Sequence, residues 1–566
     1  MYACIRIRTR LSRCLSAFLV VLFAVTVLVS CTFAPAAPPS VPTAPVPRPT
    51  TAMPIVSAFD SVAPATVPMT APPTAPTMPP IPTASTLPAT VAATPALLPT
   101  PTAPAAMLPS PTMAAPASPA PVALTPTGAM RVRPTVPPAS RSPRATATTS
   151  ATYGTGTNAG VSEGVRVTGA DRWQSAGFTG KGVKVGIIDS SFNGYRRFLP
   201  GATVTTRSFR RDGKVENASD ADGYHGTACA EIIHEMAPDA ALYLTVEDQE
   251  VTSRSEQIFA DEIDWLIGNG VTIISSSVGQ DGGVPHDGTS GYDRIVDRAR
   301  ARGVFFVFAA GNSGSGDFTS DEAEGHYAAT FTDADRDGFH DFSGANELVI
   351  HLFRDDVILD LNWDDWQMPH STYGLYLYDA TGNEVARATD RVGPGNVPTQ
   401  EIANRFKRGT YTLRIRNLTP NVRPVRLDLY FSGAQFAEIT PAGSITVPAE
   451  ARGAVAVGES DWKTDAVFPG SSQGPTLDGR TKPELVAPSC VTSAVYKATA
   501  DDVFCGTSAA APHLAGAAAL VRQANPLFTP DDLLAFFQTN AKHLTGAGAD
   551  PNTGGAGRLD LGIPPK

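Results

Sequence analysis

The sequence has no basic block, no pair of histidines at the spacing of a zinc helix, and no apolar run of bilayer-spanning length. Its 44 lysines and arginines are outnumbered by 54 aspartates and glutamates, a net charge of −10 over 566 residues. Without a large cluster of positive charge in the folded part, nucleic acid is not an expected partner. His234 follows His225 by nine residues, which is not the i, i+4 arrangement that puts two zinc ligands on one helix face; a structural place at a helix end is expected for it. The apolar run 15–29 falls short of the ~20 residues of a usual spanning helix. Cysteine is scarce: of six, Cys4 and Cys14 lie in the leading segment and only Cys229, Cys490 and Cys505 follow residue 31. At this length one compact core is not enough, so two or more domains are expected.

The leading segment reads as a targeting signal. Arg6, Arg8, Arg10 and Arg13 precede the apolar run, which ends in Leu28-Val29-Ser30-Cys31. That ending resembles a bacterial lipobox, in which Cys31 would be lipidated and tether the chain to a membrane; ordinary signal cleavage nearby is the alternative. Either way the expected location is extracellular or at the cell surface. Residues 32–150 are almost entirely Pro, Thr, Ala, Ser and Val. Such a composition cannot bury a core, and proline keeps it extended. At about 3.1 Å per residue its outer reach is on the order of 350 Å, so a spacer is expected, with a degraded propeptide as the rival reading.

Four short segments follow in order: GIIDS around Asp189, HGTAC around His225, AAGN around Asn312 and GTSAAAP around Ser508. A serine hydroxyl is a poor nucleophile at neutral pH and needs a base beside it. Histidine titrates near that pH, and a carboxylate on its other nitrogen fixes the tautomer and stabilises the imidazolium. An amide and a backbone N–H can receive the oxyanion of a tetrahedral intermediate. Ser508 lies in G-T-S-A-A rather than in the G-x-S-x-G elbow of α/β-hydrolases.

These motifs, with SSQGPTLDGRTKPELVAPS at 471–489 and GTSAAAPHLAGAAAL at 506–520, resemble the subtilase family in wording and in the order Asp, His, Ser. The resemblance covers roughly 165–316 and 451–566. It implies a serine endopeptidase acting on proteins or peptides, with Asp189 orienting, His225 as base, Asn312 at the oxyanion and Ser508 attacking, and no cofactor for the chemistry. It also implies that Ser277, Val278 and Gly279, with Gly311, line an extended substrate by strand addition. His225 and Asn312 argue against the related Glu–Asp–Ser branch. His513 is found in the family pattern and is expected to pack rather than react. A catalytically silent surface binding or adhesion protein on the same scaffold is the alternative from another class.

Beyond residue 165, apolar segments at 183–188, 242–246, 271–276 and 304–309 alternate with helical patterns at 227–235, 256–267 and 292–302. This predicts an α/β fold, a parallel sheet with helices on both faces. Asp189 and Asn312 then fall at carboxyl ends of strands, where ligands bind in such sheets, and His225 and Ser508 at helix starts. Thr529 before Pro530, with acidic residues following, signals another helix start. Between 317 and 450 the runs LVIHLF, VILDLNW, YGLYLYD, YTLRIRN and VRLDLYF alternate with period two, predicting an antiparallel β-sandwich insert. The expected organisation is a signal over 1–31, a linker over 32–150, the first peptidase part over 151–316, the insert over 317–450 and the second peptidase part over 451–566.

Just before those runs, Asp333, Asp335, Asp337 and Asp341 bracket Gly338. Alternate carboxylates around a glycine can wrap calcium as a structural ion, although Gly344 stands where an EF-hand has its bidentate glutamate. A solvated acidic turn is the other reading, and His340 beside it is expected to be exposed. Cys490 and Cys505 flank the approach to Ser508, and an oxidising compartment permits a bridge between them. Cys229 is expected to pack as a small apolar group.

Overall fold

The computed structural model describes residues 151–152, 162–216, 223–247, 255–315, 324–367, 369–393, 396–419, 423–499 and 503–566. The signal segment, Cys31 and the linker lie outside the described residues. Strands β1 (Ala151–Thr152), β2 (Lys184–Asp189), β3 (Thr203–Ser208), β4 (Ala241–Val246), β5 (Ile273–Ser276) and β6 (Phe305–Ala309) come first. They are followed by β7 (Glu324–Thr330), β8 (Leu348–Leu352), β9 (Asp356–Trp363), β10 (Tyr373–Asp379), β11 (Glu384–Ala388), β12 (Thr399–Arg405), β13 (Gly409–Asn417), β14 (Arg426–Ser432) and β15 (Ala434–Phe436). Strands β16 (Ala454–Asp461) and β17 (Leu485–Ser489) then return to the first layer.

The main sheet runs β1-β3-β4-β2-β5-β6-β16-β17. Every neighbouring pair in it is parallel except β1 with β3. Its central strands, such as β6, are apolar on both faces because each face is covered, as the continuous runs predicted. In β6, Phe305, Val307 and Ala309 join one core with helices His225–Met236 and Thr507–Ala524. Phe306 and Phe308 point the other way, into a core with helices Ser255–Gly268 and Gly291–Ala301. Successive side chains leave opposite faces of a strand, so one strand fills both cores.

Local signals set the helix starts. Ser290 accepts from the Asp293 N–H while the Asp293 carboxylate accepts from the Ser290 N–H, and Thr529 and Asp532 do the same before Pro530–Asn540. These reciprocal caps satisfy donors that the first helical turn leaves orphaned.

Between β6 and β16 two antiparallel sheets stack, ordered β11-β10-β13-β8-β15 and β12-β9-β14-β7. Leu348, Ile350, Leu352, Leu375, Leu377, Leu413 and Ile415 from one face meet Leu359, Leu361, Leu427 and Leu429 from the other in one core. Each predicted run became a strand; β7, β11 and β12 carried too few alternating apolar residues to stand out. In β7, His326 is buried with its ring nitrogens 3.0 Å from Asp428 Oδ1 and 2.8 Å from the Thr440 carbonyl oxygen.

Candidate active site

Three main-sheet strands end at one place. Asp189 closes β2 and is buried. One carboxylate oxygen, Oδ1, accepts from the Ser190 N–H at 2.8 Å and from its hydroxyl at 3.3 Å. His225 begins the helix His225–Met236, and its Nδ1 lies 2.9 Å from Asp189 Oδ2 and 3.0 Å from Oδ1. Facing two carboxylate oxygens, Nδ1 carries the hydrogen, which leaves Nε2 as the basic nitrogen. The close approach requires Gly226: a Cβ there would sit 2.7 Å from Asp189 Cβ and 2.6 Å from the Ser191 carbonyl oxygen. The imidazole and the Phe504 ring stand nearly perpendicular, with centroids 5.5 Å apart.

Ser508 lies in the first turn of the helix Thr507–Ala524, half-buried where most of that turn is fully covered. Its hydroxyl donates to the Ser277 carbonyl at 3.4 Å, and the Ser277 hydroxyl donates to the Ser508 carbonyl at 3.1 Å. Cys229, one turn beyond His225, also donates to the Ser508 carbonyl, at 3.6 Å. The helices carrying His225 and Ser508 are thus joined next to both residues. Burial and the nearby Asp189 carboxylate push the Cys229 thiol well above its usual pKa, so it stays a neutral donor. It is more than the packing group expected of it, because it ties the two helices together.

Asn312 follows β6. Its Oδ1 accepts from the Thr507 N–H at 3.0 Å and the Thr507 hydroxyl at 2.9 Å, and Thr507 Oγ1 accepts from the Gly311 N–H at 3.2 Å. With the amide oxygen fixed by two donors, its NH2 is the end left to meet an oxyanion. The Ser508 backbone N–H and the dipole of its helix favour negative charge at the same place.

Residues outside the motifs support this arrangement. Glu459, buried in β16, accepts from the Ser489 hydroxyl at 2.7 Å and the Gly506 N–H at 3.1 Å, holding the turn that leads into Ser508. A Cys490–Cys505 disulfide closes the same approach, and Cys229 is the free cysteine among the described residues. Glu459 carries no sequence signal of its own, since it acts through partners far along the chain; Thr507 stands inside the GTSAAAP segment, but its bond to Asn312 is set by the fold.

Just past the ends of β5 and β6, Ser277 exchanges hydrogen bonds with Ser508, the Gly311 N–H donates to Thr507, and Gly279 and Gly311 both adjoin Thr446; Val278 lies in the same segment as Ser277. Gln280, the next residue, exchanges backbone hydrogen bonds with Val447. In the acidic loop Asp333, Asp335 and Asp337 offer carboxylate oxygens within 4.8 Å of one another, and all four aspartates also accept a loop N–H, Asp341 Oδ2 from Ala334 at 2.7 Å. Asn346 Nδ2 bridges Asp335 and Asp337, at 3.2 and 2.7 Å. The expectation for His340 is corrected: it is 1% exposed, with the Thr332 N–H donating to Nδ1 and Nε2 2.9 Å from the Tyr327 hydroxyl. Those two partners let a neutral ring be buried. His234 meets the Pro200 carbonyl from the last turn of its helix, and His513 packs with Nδ1 on the Ala509 carbonyl, both as expected.

A parallel sheet with a buried Asp–His pair, a hydroxyl at a helix start and a fixed amide beside it defines an α/β protein with a site suited to acyl transfer. The chain belongs to the subtilase family, whose model matches residues 180–347 and 429–557. It is similar to subtilisin DY of Bacillus licheniformis, 30% identical over 159 residues, covering 27% of this chain and 56% of that protein. It is also similar to the major intracellular serine protease of Bacillus subtilis (strain 168), 28% identical over 231 residues, covering 38% of this chain and 68% of the relative. The match to the minor extracellular protease Epr of the same strain, at 30% identity, spans 22% of that relative's length. The fold is shared with the Clostridium perfringens CspB protease, at a TM-score of 0.51 and 17% identity over 70% of this chain and 97% of the other.

Proposed function

We propose that this chain is an exported serine endopeptidase that hydrolyses peptide bonds in extended segments of proteins. The observation that carries the reading is the Asp189 carboxylate held against His225 Nδ1 at 2.9 and 3.0 Å, next to the helix that presents Ser508. A peptide adds as a strand along Ser277–Gly279 and Gly311. Ser508 Oγ attacks the carbonyl carbon while His225 Nε2 takes its proton, and Asp189 stabilises the imidazolium that forms. The oxyanion is received by Asn312 Nδ2 and the Ser508 backbone N–H. His225 then gives its proton to the leaving amine, and the acyl-enzyme is released by a water that His225 activates.

Export is supported by the basic segment and the apolar run 15–29, with Cys31 as the residue that would carry a lipid. No helix among the described residues is long and apolar enough to cross a membrane. The same reading makes 32–150 a spacer, 151–316 and 451–566 the two parts of the peptidase and 317–450 its insert. Calcium is a structural ion of the insert, held by Asp333, Asp335 and Asp337; the support is their convergence and the alternation of carboxylates around a loop in which Gly338 has φ +89°.

The test is Ser508→Ala. Casein hydrolysis and labelling by a fluorophosphonate probe are both expected to disappear. Undiminished hydrolysis by that variant refutes the assignment, and an unlabelled, inactive parent protein supports the binding-protein alternative.

A further inference from the structure

We propose that Thr446 determines specificity by plugging the slot beside Ser508 that receives the substrate side chain preceding the scissile bond, restricting it to small residues such as glycine, alanine and serine. The inference deepens the peptidase reading and rests on it.

Where the chain returns from the insert to β16, residues 445–447 wedge between the segments that follow β5 and β6. The Thr446 N–H donates to the Ala310 carbonyl at 3.0 Å; the Gln280 N–H donates to the Val447 carbonyl at 2.8 Å, and the Val447 N–H to the Gln280 carbonyl at 3.2 Å. The Thr446 hydroxyl donates to the Gln280 carbonyl at 3.4 Å. The segment is therefore pinned to both walls.

The walls present glycines to it. A Cβ on Gly279 would fall 2.5 Å from Thr446 Oγ1 and 2.8 Å from its Cγ2. A Cβ on Gly311 would fall 3.3 Å from Thr446 Cβ and 2.8 Å from Ser472 Oγ. Two missing side chains open a slot, and one threonine, 9% exposed, fills the space they leave. Thr446 does not swing aside readily, since β-branching restricts χ1 and its hydroxyl is engaged.

The slot belongs to the residue before the scissile bond because of what its walls touch. Ser277, two residues from Gly279, exchanges hydrogen bonds with Ser508. The Gly311 N–H is held by Thr507 Oγ1, and Asn312 follows directly. A carbonyl carbon within reach of Ser508 Oγ, with its oxygen toward Asn312, directs the Cβ of its own residue between Gly279 and Gly311. A large side chain there meets the threonine.

The experiment compares kcat/KM for two peptides that differ only in having alanine or phenylalanine before the cleaved bond, with fluorophosphonate titration counting competent sites. The wild-type chain is expected to favour alanine, and Thr446→Gly to raise phenylalanine relative to alanine by about tenfold or more, the size of effect that one or two carbons in a pocket produce. Thr446→Ser, which removes only the methyl group, shifts the ratio in the same direction by less. A wild-type preference for phenylalanine, or an unmoved ratio in both smaller variants with sites fully titrated, overturns the proposal while leaving the peptidase intact. Failure of the parent to label or to cleave either peptide overturns the peptidase reading, and this inference with it.

Discussion

Replacing Asp189 by asparagine tests the active-site reading in a way the geometry makes specific. The shape of the side chain is preserved, and the Ser190 N–H and hydroxyl, which donate to Oδ1, fix the amide oxygen at that position. The NH2 group is then left at the site of Oδ2, 2.9 Å from His225 Nδ1. The NH2 group opposes the hydrogen on Nδ1 and needs an acceptor of its own, which favours the tautomer with the hydrogen on Nε2 and Nδ1 as acceptor, although the amide oxygen stays 3.0 Å from Nδ1. A proton on Nε2 leaves no base for the Ser508 hydroxyl, and the imidazolium also loses its carboxylate. The expected loss in kcat is about 10⁴, or about 5.5 kcal/mol of transition-state stabilisation. Steady-state hydrolysis of a peptide ester at pH 7 measures it, with the melting temperature taken in parallel as the control for folding. A fall of less than about tenfold with an unchanged melting temperature refutes the claim that the Asp189–His225 contact sets the tautomer.

Two further outcomes follow from other parts of the molecule. If the loop at Asp333, Asp335 and Asp337 binds calcium, excess chelator lowers the melting temperature, by about 2.7 kcal/mol of lost stabilisation when the ion was present at a hundred times its Kd; Asp335→Asn combined with Asp337→Asn abolishes the effect, and superimposable melting curves with and without chelator count against the site. Burial pushes the His513 imidazole down to about 4, against about 6.5 in the unfolded chain. The unfolded state therefore binds a proton first, so this contribution is complete above about pH 6.5 and is lost as the pH falls toward 4, an amount of about 3 kcal/mol. Urea denaturation at pH 7 and pH 4.5 should show a smaller loss on acidification for His513→Gln than for the parent, and an equal loss in both contradicts the assignment.

Much of the α/β part was legible because its signals are local. Apolar segments bounded by helical patterns located β2, β4, β5 and β6, and caps such as Thr529 with Asp532 fixed helix starts through contacts within one turn. Strands with mixed polarity were not legible. The strand β3, TVTTRS, and the strand β7, EGHYAAT, are recognised by their neighbours rather than by their composition. His340 reads as a polar residue in an acidic turn, but Tyr327 and Thr332 satisfy its ring and allow its burial.

The sequence by itself determined which chemical groups are present and in what order: a carboxylate at 189, an imidazole at 225, an amide at 312 and a hydroxyl at 508, each in a segment of recognisable local form. The strand order β4-β2-β5-β6 and the packing of two helices brought the carboxylate to the imidazole and the amide to the helix that carries Ser508. The same packing placed Cys229 on the Ser508 carbonyl, Glu459 under Gly506 and Thr446 between Gly279 and Gly311. Periodicity and capping are written in consecutive residues, whose interactions span a few ångströms of one element. The distance between residues hundreds of positions apart is set by which strands pair and which faces bury each other, and that is a property of the assembled core.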